Sequence, residues 1–357
     1  MATILDSREE LAKIDTKNGL GSIEQLGSQI KQVWEATRSL QFPDSYRQVT
    51  SVVVAGMGGS AYGTHVIATL FADELTVPVF SIPDYTLPHW VNEHTLVLLS
   101  SYSGSTEETL SAAEDAKKKG AHMCGLTSGG KLGEWLKSNN YPAYIFTPTF
   151  NQCNTPRYAL GYSVFGQMAV LERAGILKID EGMYQALLAD IAQIQLEVSV
   201  SVSREKNASK LLAYDCLDRL PIVVVAQHLE GAGHVVANAF NETAKTYSEY
   251  RVVPELNHHL MEGLQFPKIN ERDLFFIFAD SKLYSPSIQK RMQLTKQVIE
   301  KNNCEYMSID IASNSKLGQV FELLLKGTYA AFYLAFLNNV DPVPNPWVDW
   351  FKQSMKE

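Results

Sequence analysis

The chain has little with which to cross-link itself, cross a bilayer or coat a polyanion. It holds only four cysteines in 357 residues, Cys124, Cys153, Cys216 and Cys304, and none stands in a C-x-x-C pair. That usage excludes a disulfide scaffold and fits reduced, mostly buried thiols in a cytoplasmic protein. An excess of base is also missing, since 31 Lys+Arg stand against 39 Asp+Glu, a formal net charge of −8. A general nucleic-acid binder needs a basic surface to displace counterions from phosphates, so no nucleic-acid partner is expected. A small anion would have to be held by local donors, because the overall field does not draw it in. The most apolar long stretch, residues 323–337, is interrupted by Lys326 and Gly327. It is too short for a bilayer and suits a buried helix, so no membrane partner is expected. Residues 1–10 carry no basic region followed by an apolar one, and no signal peptide is expected.

Core-forming material is plentiful. Hydrophobic residues make up 45% of the chain and charged residues 20%, which at roughly 150 residues per domain allows about two domains. The pattern of the chain divides the same way. Ser51-Val52-Val53-Val54-Ala55 is an apolar run that ends in glycines and feeds a helix-like stretch, the signature of a parallel strand covered on both faces. Further strands are expected over 77–80, 95–99, 121–126 and 143–146, with helices over 61–71, 106–119 and 131–137. Residues 155–174 and 182–200 read as connecting helices. A second cycle opens at Leu220–Ala226, with strands over 273–278 and 305–309 and helices up to about Lys245, over 287–301 and over 317–337. Val52–Ala55 lies over Val223–Ala226, and Leu96 over Leu274, which reads as an internal duplication. The expected fold is α/β, with two doubly wound parallel-sheet domains and covering helices. The expected divisions are a helical segment at 1–50, a first domain at 51–175, connecting helices at 176–215, a second domain at 216–340 and a tail with a short helix at 341–357.

Two loops carry the chemistry. Gly56-Met57-Gly58-Gly59-Ser60-Ala61 lies between a strand and a helix, where glycines allow close backbone approach and the first N–H groups of the helix favour anions. The same letters fit a dinucleotide fingerprint, with Asp84 as the ribose acid, but Asp84 lies past Pro83 and outside a clean strand end. The second loop, Ser100-Ser101-Tyr102-Ser103-Gly104-Ser105-Thr106, gathers hydroxyls around one glycine and leads into a helix that Ser105 and Glu108 are placed to cap. A dinucleotide domain has no need of a serine-rich loop on the adjacent strand, whereas a sugar monophosphate does.

These two loops resemble the signatures of sugar isomerase (SIS) domains. Further segments narrow the resemblance to the bifunctional phosphoglucose/phosphomannose isomerase family of archaea and bacteria. They are Thr155-Pro156-Arg157-Tyr158, Asn241-Glu242-Thr243-Ala244-Lys245, Pro254-Glu255-Leu256-Asn257-His258 and Asp341-Pro342-Val343-Pro344. The resemblance implies a metal-free isomerase, without cofactor, that interconverts glucose 6-phosphate, and mannose 6-phosphate too, with fructose 6-phosphate through an enediolate. It places phosphate on Gly58, Gly59, Ser60, Ser101, Ser103 and Thr106. It makes Glu242 the C1/C2 base, His258 the ring-opening group, Arg157 the enediolate stabiliser and Lys316 an active-site lysine. It also implies a homodimer in which His258 reaches the site from the neighbouring subunit.

Spacing alone reads some of these residues more plainly. Glu242 and Lys245 form an i,i+3 pair of the kind found on solvated helix faces, and Arg157 suits a surface helix start. The family's usual Asn-His-Asn-Glu is replaced by Asn257-His258-His259-Leu260, which leaves His259 without an assigned role. Neighbouring histidines seldom chelate one ion, and no Glu or Cys stands at ligand spacing, so no metal site is expected. Two rivals remain at this point: a non-catalytic sugar-phosphate-binding regulator, and an SIS isomerase for another sugar phosphate.

Overall fold

A computed structural model describes residues 4–355. Three helices lead the chain: α1 (Arg8–Ala12), α2 (Gly19–Glu24) and α3 (Leu26–Thr37). The Ser7 hydroxyl caps α1 and the Asn18 side chain caps α2 by accepting an otherwise unpaired N–H. α3 buries Leu26, Ile30, Val33 and Trp34 along one face.

The first sheet is built from β1 (Ser51–Ala55), β2 (Val79–Ser81), β3 (Thr95–Ser101), β4 (His122–Thr127) and β5 (Ala143–Ile145). The helices α4 (Tyr62–Leu70), α5 (Glu107–Lys118) and α6 (Gly130–Ser138) connect them. All pairs are parallel, in the order β2-β1-β3-β4-β5. The chain leaves β1 toward one edge and β3 toward the other, so a crevice opens beyond their carboxyl ends, where ligands bind in open α/β sheets.

Helices α7 (Gly166–Arg173), α8 (Glu181–Val198) and α9 (Ala208–Asp215) lead to the second lobe. There the chain runs through β6 (Leu220–Ala226), α10 (Glu230–Glu242), β7 (Glu249–Val253), α11 (Leu260–Gly263), α12 (Asn270–Asp273) and β8 (Leu274–Ser281). It continues through α13 (Pro286–Lys301), β9 (Glu305–Ile311), α14 (Lys316–Leu337) and α15 (Pro346–Ser354). Its parallel sheet, β7-β6-β8-β9, repeats the order of the first without the last strand. Register refines the duplication. Val52 pairs with Leu96 in one lobe and Val223 with Ile277 in the other, so Ile277, not Leu274, is the counterpart of Leu96.

Three local expectations are corrected. β7 adds a strand that the pattern does not announce, because Glu249-Tyr250-Arg251-Val252-Val253 is a half-buried edge strand and lacks a continuous apolar run. The helix expected over 155–174 is instead a 3-10 turn at Pro156–Tyr158, a π turn at Gly161–Phe165 and then α7. Pro156 and the two glycines weaken a regular helix there. Finally, Thr106 rather than Ser105 precedes α5, and no side chain caps that helix.

Helices join the lobes. α4 and α10 cross antiparallel: Tyr62 meets Glu242, the His65 and His234 rings lie 4.5 Å apart, and the Gly231 N–H donates to Thr69 Oγ1 at 3.2 Å. A Cβ on Gly231 would stand 2.5 Å from the Val66 nitrogen, so only glycine permits this approach. α14 packs on α10 with Gly327 against Val236. By length and composition α14 could cross a membrane, but 94% of its most apolar window is buried inside the protein, which makes it a core helix.

Candidate active site

The two loops meet at the carboxyl ends of β1 and β3 and are braced by their own hydroxyls. The Tyr102 N–H donates to Ser60 Oγ at 2.9 Å, and Ser100 Oγ donates to the Ser60 carbonyl at 2.8 Å. Ser101 Oγ and Thr106 Oγ1 lie 2.8 Å apart, and the Gly104 N–H reaches Ser101 Oγ at 3.1 Å. Ser103 stays exposed and its hydroxyl accepts the Ser105 N–H at 3.3 Å. Gly58 and Gly104 take positive φ, 51° and 66°, which glycine tolerates without strain. Neither α4 nor α5 carries a side-chain cap. The first turns of α4 and α5 thus keep N–H groups that no side chain caps, next to loops rich in glycine and hydroxyls, an arrangement that suits a phosphate. A third loop, Ser128-Gly129-Gly130, packs on the second: Ser128 donates to the Tyr102 carbonyl from Oγ at 2.7 Å, and the Leu132 N–H to the Gly104 carbonyl at 2.9 Å.

The second lobe delivers Glu242 to this cradle, because α10 ends where α4 begins. Tyr62, in the first turn after the glycine loop, donates its hydroxyl to Glu242 Oε1 at 3.1 Å. Burial, and then the Glu242 charge, push the Tyr62 phenol well above its ordinary value, so it stays protonated and donates. Asn345 Nδ2 donates to Glu242 Oε2 at 2.9 Å, and Arg157 Nη1 lies 3.5 Å from the same oxygen.

Arg157 is only 5% exposed and is no surface residue. Its Nε donates to Thr243 Oγ1 at 3.2 Å and its Nη2 to the carbonyls of Pro342 and Val343 at 2.6 Å each. The guanidinium thus ties the tail over the site while Nη1 faces the carboxylate. Gly59 sits beneath it, where a Cβ would lie 3.0 Å from Pro156 Cβ.

Two expected residues are not brought to this cluster. His258 is exposed, in a 3-10 turn behind β7, and makes no hydrogen bond among the described residues. Its neighbour His259 lies 3.7 Å from Glu255. Lys316 opens α14 and pairs with Asp73 at 2.8 Å, beyond the far end of α4. α14 reaches Glu242's neighbourhood only at its other end, where Asn338 Nδ2 donates to the Ala244 carbonyl at 3.0 Å. Twenty-two residues of helix put roughly 33 Å between the two ends, so within one chain Lys316 stands far from Glu242.

The lysine beside Glu242 is Lys245. Its Nζ donates to the Glu242 carbonyl, to the Pro344 carbonyl at 2.6 Å and to Asn345 Oδ1 at 3.1 Å. Part of its side chain faces solvent, but the ammonium end is desolvated under the tail. That desolvation, with the Arg157 charge, lowers it to about 8 against the pull of Glu242 and Asp341.

Tyr62, Lys245 and Asn345 had little signal in the sequence. Tyr62 follows the fingerprint by one residue, Lys245 reads as an ordinary ion-pair partner, and Asn345 lies in a proline-rich tail.

The matching corner of the second lobe, beyond β8 and β9, opens on a cavity of about 510 Å³ whose lining includes Ser281, Lys296 and Gln319. Gln227, with φ 46°, places Oε1 on the Ser285 N–H at 2.9 Å, and Ser281 Oγ accepts the Leu283 N–H at 2.9 Å. Gln319 Oε1 accepts from Ser281 at 2.6 Å and lies 2.8 Å from His228 Nε2. Among the described residues, no three His, Cys, Asp or Glu side chains are grouped to hold a metal ion.

Family models match both lobes: residues 45–134 fit the SIS domain, and residues 205–355 the bacterial phospho-glucose isomerase C-terminal SIS domain. A bifunctional phosphoglucose/phosphomannose isomerase of Caldicellulosiruptor bescii is 31% identical over 344 residues, covering 94% of this chain and 98% of the relative. One from Thermoplasma acidophilum is 29% identical over 306 residues, covering 85% and 89%. A crystal structure of a hypothetical protein from Thermus thermophilus superposes with a TM-score of 0.75 at 18% identity, covering 98% of this chain and 92% of that one. It shares the fold. Two duplicated SIS lobes, with a carboxylate carried from the second to the glycine- and serine-rich loops of the first, together with these full-length relatives, place the chain in the bifunctional phosphoglucose/phosphomannose isomerase family.

Proposed function

We propose that the protein is an aldose–ketose isomerase that interconverts glucose 6-phosphate and mannose 6-phosphate with fructose 6-phosphate, without a metal or cofactor. The observation that carries this reading is the hydrogen bond from Tyr62 to Glu242, which ties the carboxylate of the cluster to the first helical turn above the cradle. Phosphate would sit on the N–H groups and hydroxyls of Gly58, Gly59, Ser60, Ser101, Ser103 and Thr106. Glu242 would then take the C1 proton of fructose 6-phosphate, leaving an enediolate, and return it to C2. Return to one face of C2 gives the glucose configuration and to the other the mannose configuration. Arg157 Nη1, beside the carboxylate, is placed to stabilise the enediolate oxygen.

Ring opening needs a group that passes a proton to the ring oxygen, and among the described residues no histidine contacts Glu242. We assign this step to His258 of a second copy, in a homodimer. Its exposure supports that assignment. So does α15, which leaves the site with Trp347, Trp350 and Phe351 81%, 62% and 59% exposed, an apolar face suited to burial between copies. The four free, buried cysteines suit the reducing cytoplasm.

The test is to supply purified protein with fructose 6-phosphate and identify the products with and without EDTA. Both aldose phosphates should form at rates that EDTA does not change. Tight binding of fructose 6-phosphate without turnover would select the regulator instead.

A further inference from the structure

The Glu242 carboxylate is held on both oxygens, and one of its holders comes from the far end of the chain. Residues 341–345 run as a strap across the mouth of the crevice. Arg157 fixes the Pro342 and Val343 carbonyls, and Tyr158 donates its hydroxyl to the Pro342 carbonyl at 3.1 Å. Thr16 ties down Asp341 at 2.7 Å, and Lys245 holds the Pro344 carbonyl. Asn345 stands at the end of this strap, half-buried, with its amide between two charged groups.

The amide has one productive orientation. Lys245 can only donate, so Oδ1 must face it, and the contact is 3.1 Å. That turns Nδ2 toward Glu242 Oε2 at 2.9 Å, while Tyr62 holds Oε1. With both oxygens fixed, the carboxylate cannot rotate away from the crevice.

We propose that Asn345 is a positioning residue that holds the Glu242 carboxylate in its reacting orientation, with its own amide oriented by Lys245. The inference rests on Glu242 being the proton carrier. Holding a reacting group in place acts on the chemical step and leaves binding of the phosphate, on other loops, untouched.

The experiment compares Asn345→Ala and Asn345→Asp with the wild type and with Glu242→Gln, in the full-length protein. Asn345→Ala should lower kcat about tenfold, the loss of one hydrogen bond to a charged group, with KM for fructose 6-phosphate unchanged. Asn345→Asp sets a second carboxylate beside Glu242. It should move the acidic limb of the pH–rate profile upward by about one unit, a change that a merely structural role would not cause. Thermal unfolding of both variants checks that the strap stays in place. Should Asn345→Ala unfold, the Asp variant's pH profile decides alone. Wild-type kcat in Asn345→Ala together with an unshifted profile in Asn345→Asp overturns the proposal. A fully active Glu242→Gln variant overturns the reading of the base instead, so the two failures are distinguishable.

Discussion

Replacing Gly104 by alanine tests the construction of the phosphate cradle. Gly104 has φ 66°, and a Cβ there would stand 2.7 Å from the Gly129 carbonyl carbon and 2.9 Å from Thr127 Oγ1, overlapping the Gly129 oxygen as well. Gly120 is the control, with φ 72° and nothing within 4 Å of a Cβ. The left-handed conformation costs alanine about 1–2 kcal/mol at either position, and the lower entropy of the unfolded alanine chain returns about 0.5 kcal/mol. Gly120→Ala should therefore lose about 1 kcal/mol and keep its KM. Gly104→Ala must also push one backbone loop off another, which adds about 1–3 kcal/mol. Urea unfolding should show it about 2–4 kcal/mol less stable than the wild type. Because the displaced loop carries Ser103 and Thr106, KM for fructose 6-phosphate should rise at least tenfold or so, since small misplacements of binding groups are costly. Equal losses in the two variants, or a wild-type KM in Gly104→Ala, would refute the reasoning.

Other outcomes follow from the same geometry. Glu242→Gln should lower kcat by roughly 10²–10⁴-fold, the usual worth of a positioned base, with circular dichroism showing the fold retained. Lys316→Ala should leave kcat and KM within about twofold, because it breaks only an exposed ion pair. Mixing inactive His258→Ala and Glu242→Gln subunits under exchange conditions should restore about a quarter of wild-type specific activity if the histidine crosses between copies; no restoration would place both groups in one chain. Burial, and then neighbouring His234, lower His65 to about 4. Between pH 6.5 and 4 the unfolded chain binds a proton that the folded one refuses, so stability is full above pH 6.5 and falls toward pH 4. His65 should contribute roughly 2 kcal/mol to the loss measured by urea unfolding at pH 5 against pH 7, and His65→Phe should reduce the loss by about that much, the remainder coming from half-buried His234 and buried His228.

Where one chemical demand shaped a short stretch, the sequence was readable. Buried β1 and β3 must be apolar on both faces, and an anion loop must be glycine-rich and hydroxyl-rich, so sheet, cradle and duplication all left local marks. The partners of Glu242 left none. Tyr62 and Asn345 reach it through the antiparallel crossing of α4 on α10 and through the return of the tail, neither of which has a periodicity to read. The edge strand β7 escapes the pattern because a half-buried strand alternates charge with apolar residues. Lys316 was named by resemblance alone, and only the length of α14 shows how far it stands from Glu242 within one chain. The burial of Arg157 was not readable from spacing, since nothing local distinguishes an arginine buried under a tail from one in solvent.

A crystal structure of the Glu242→Gln variant with fructose 6-phosphate bound tests the central claim most directly. The phosphate should rest on the first turns of α4 and α5 and on the hydroxyls of Ser101, Ser103 and Thr106, with C1 and C2 within about 3.5 Å of the residue 242 side chain. A phosphate held elsewhere, or a C1–C2 edge turned away from residue 242, would contradict it.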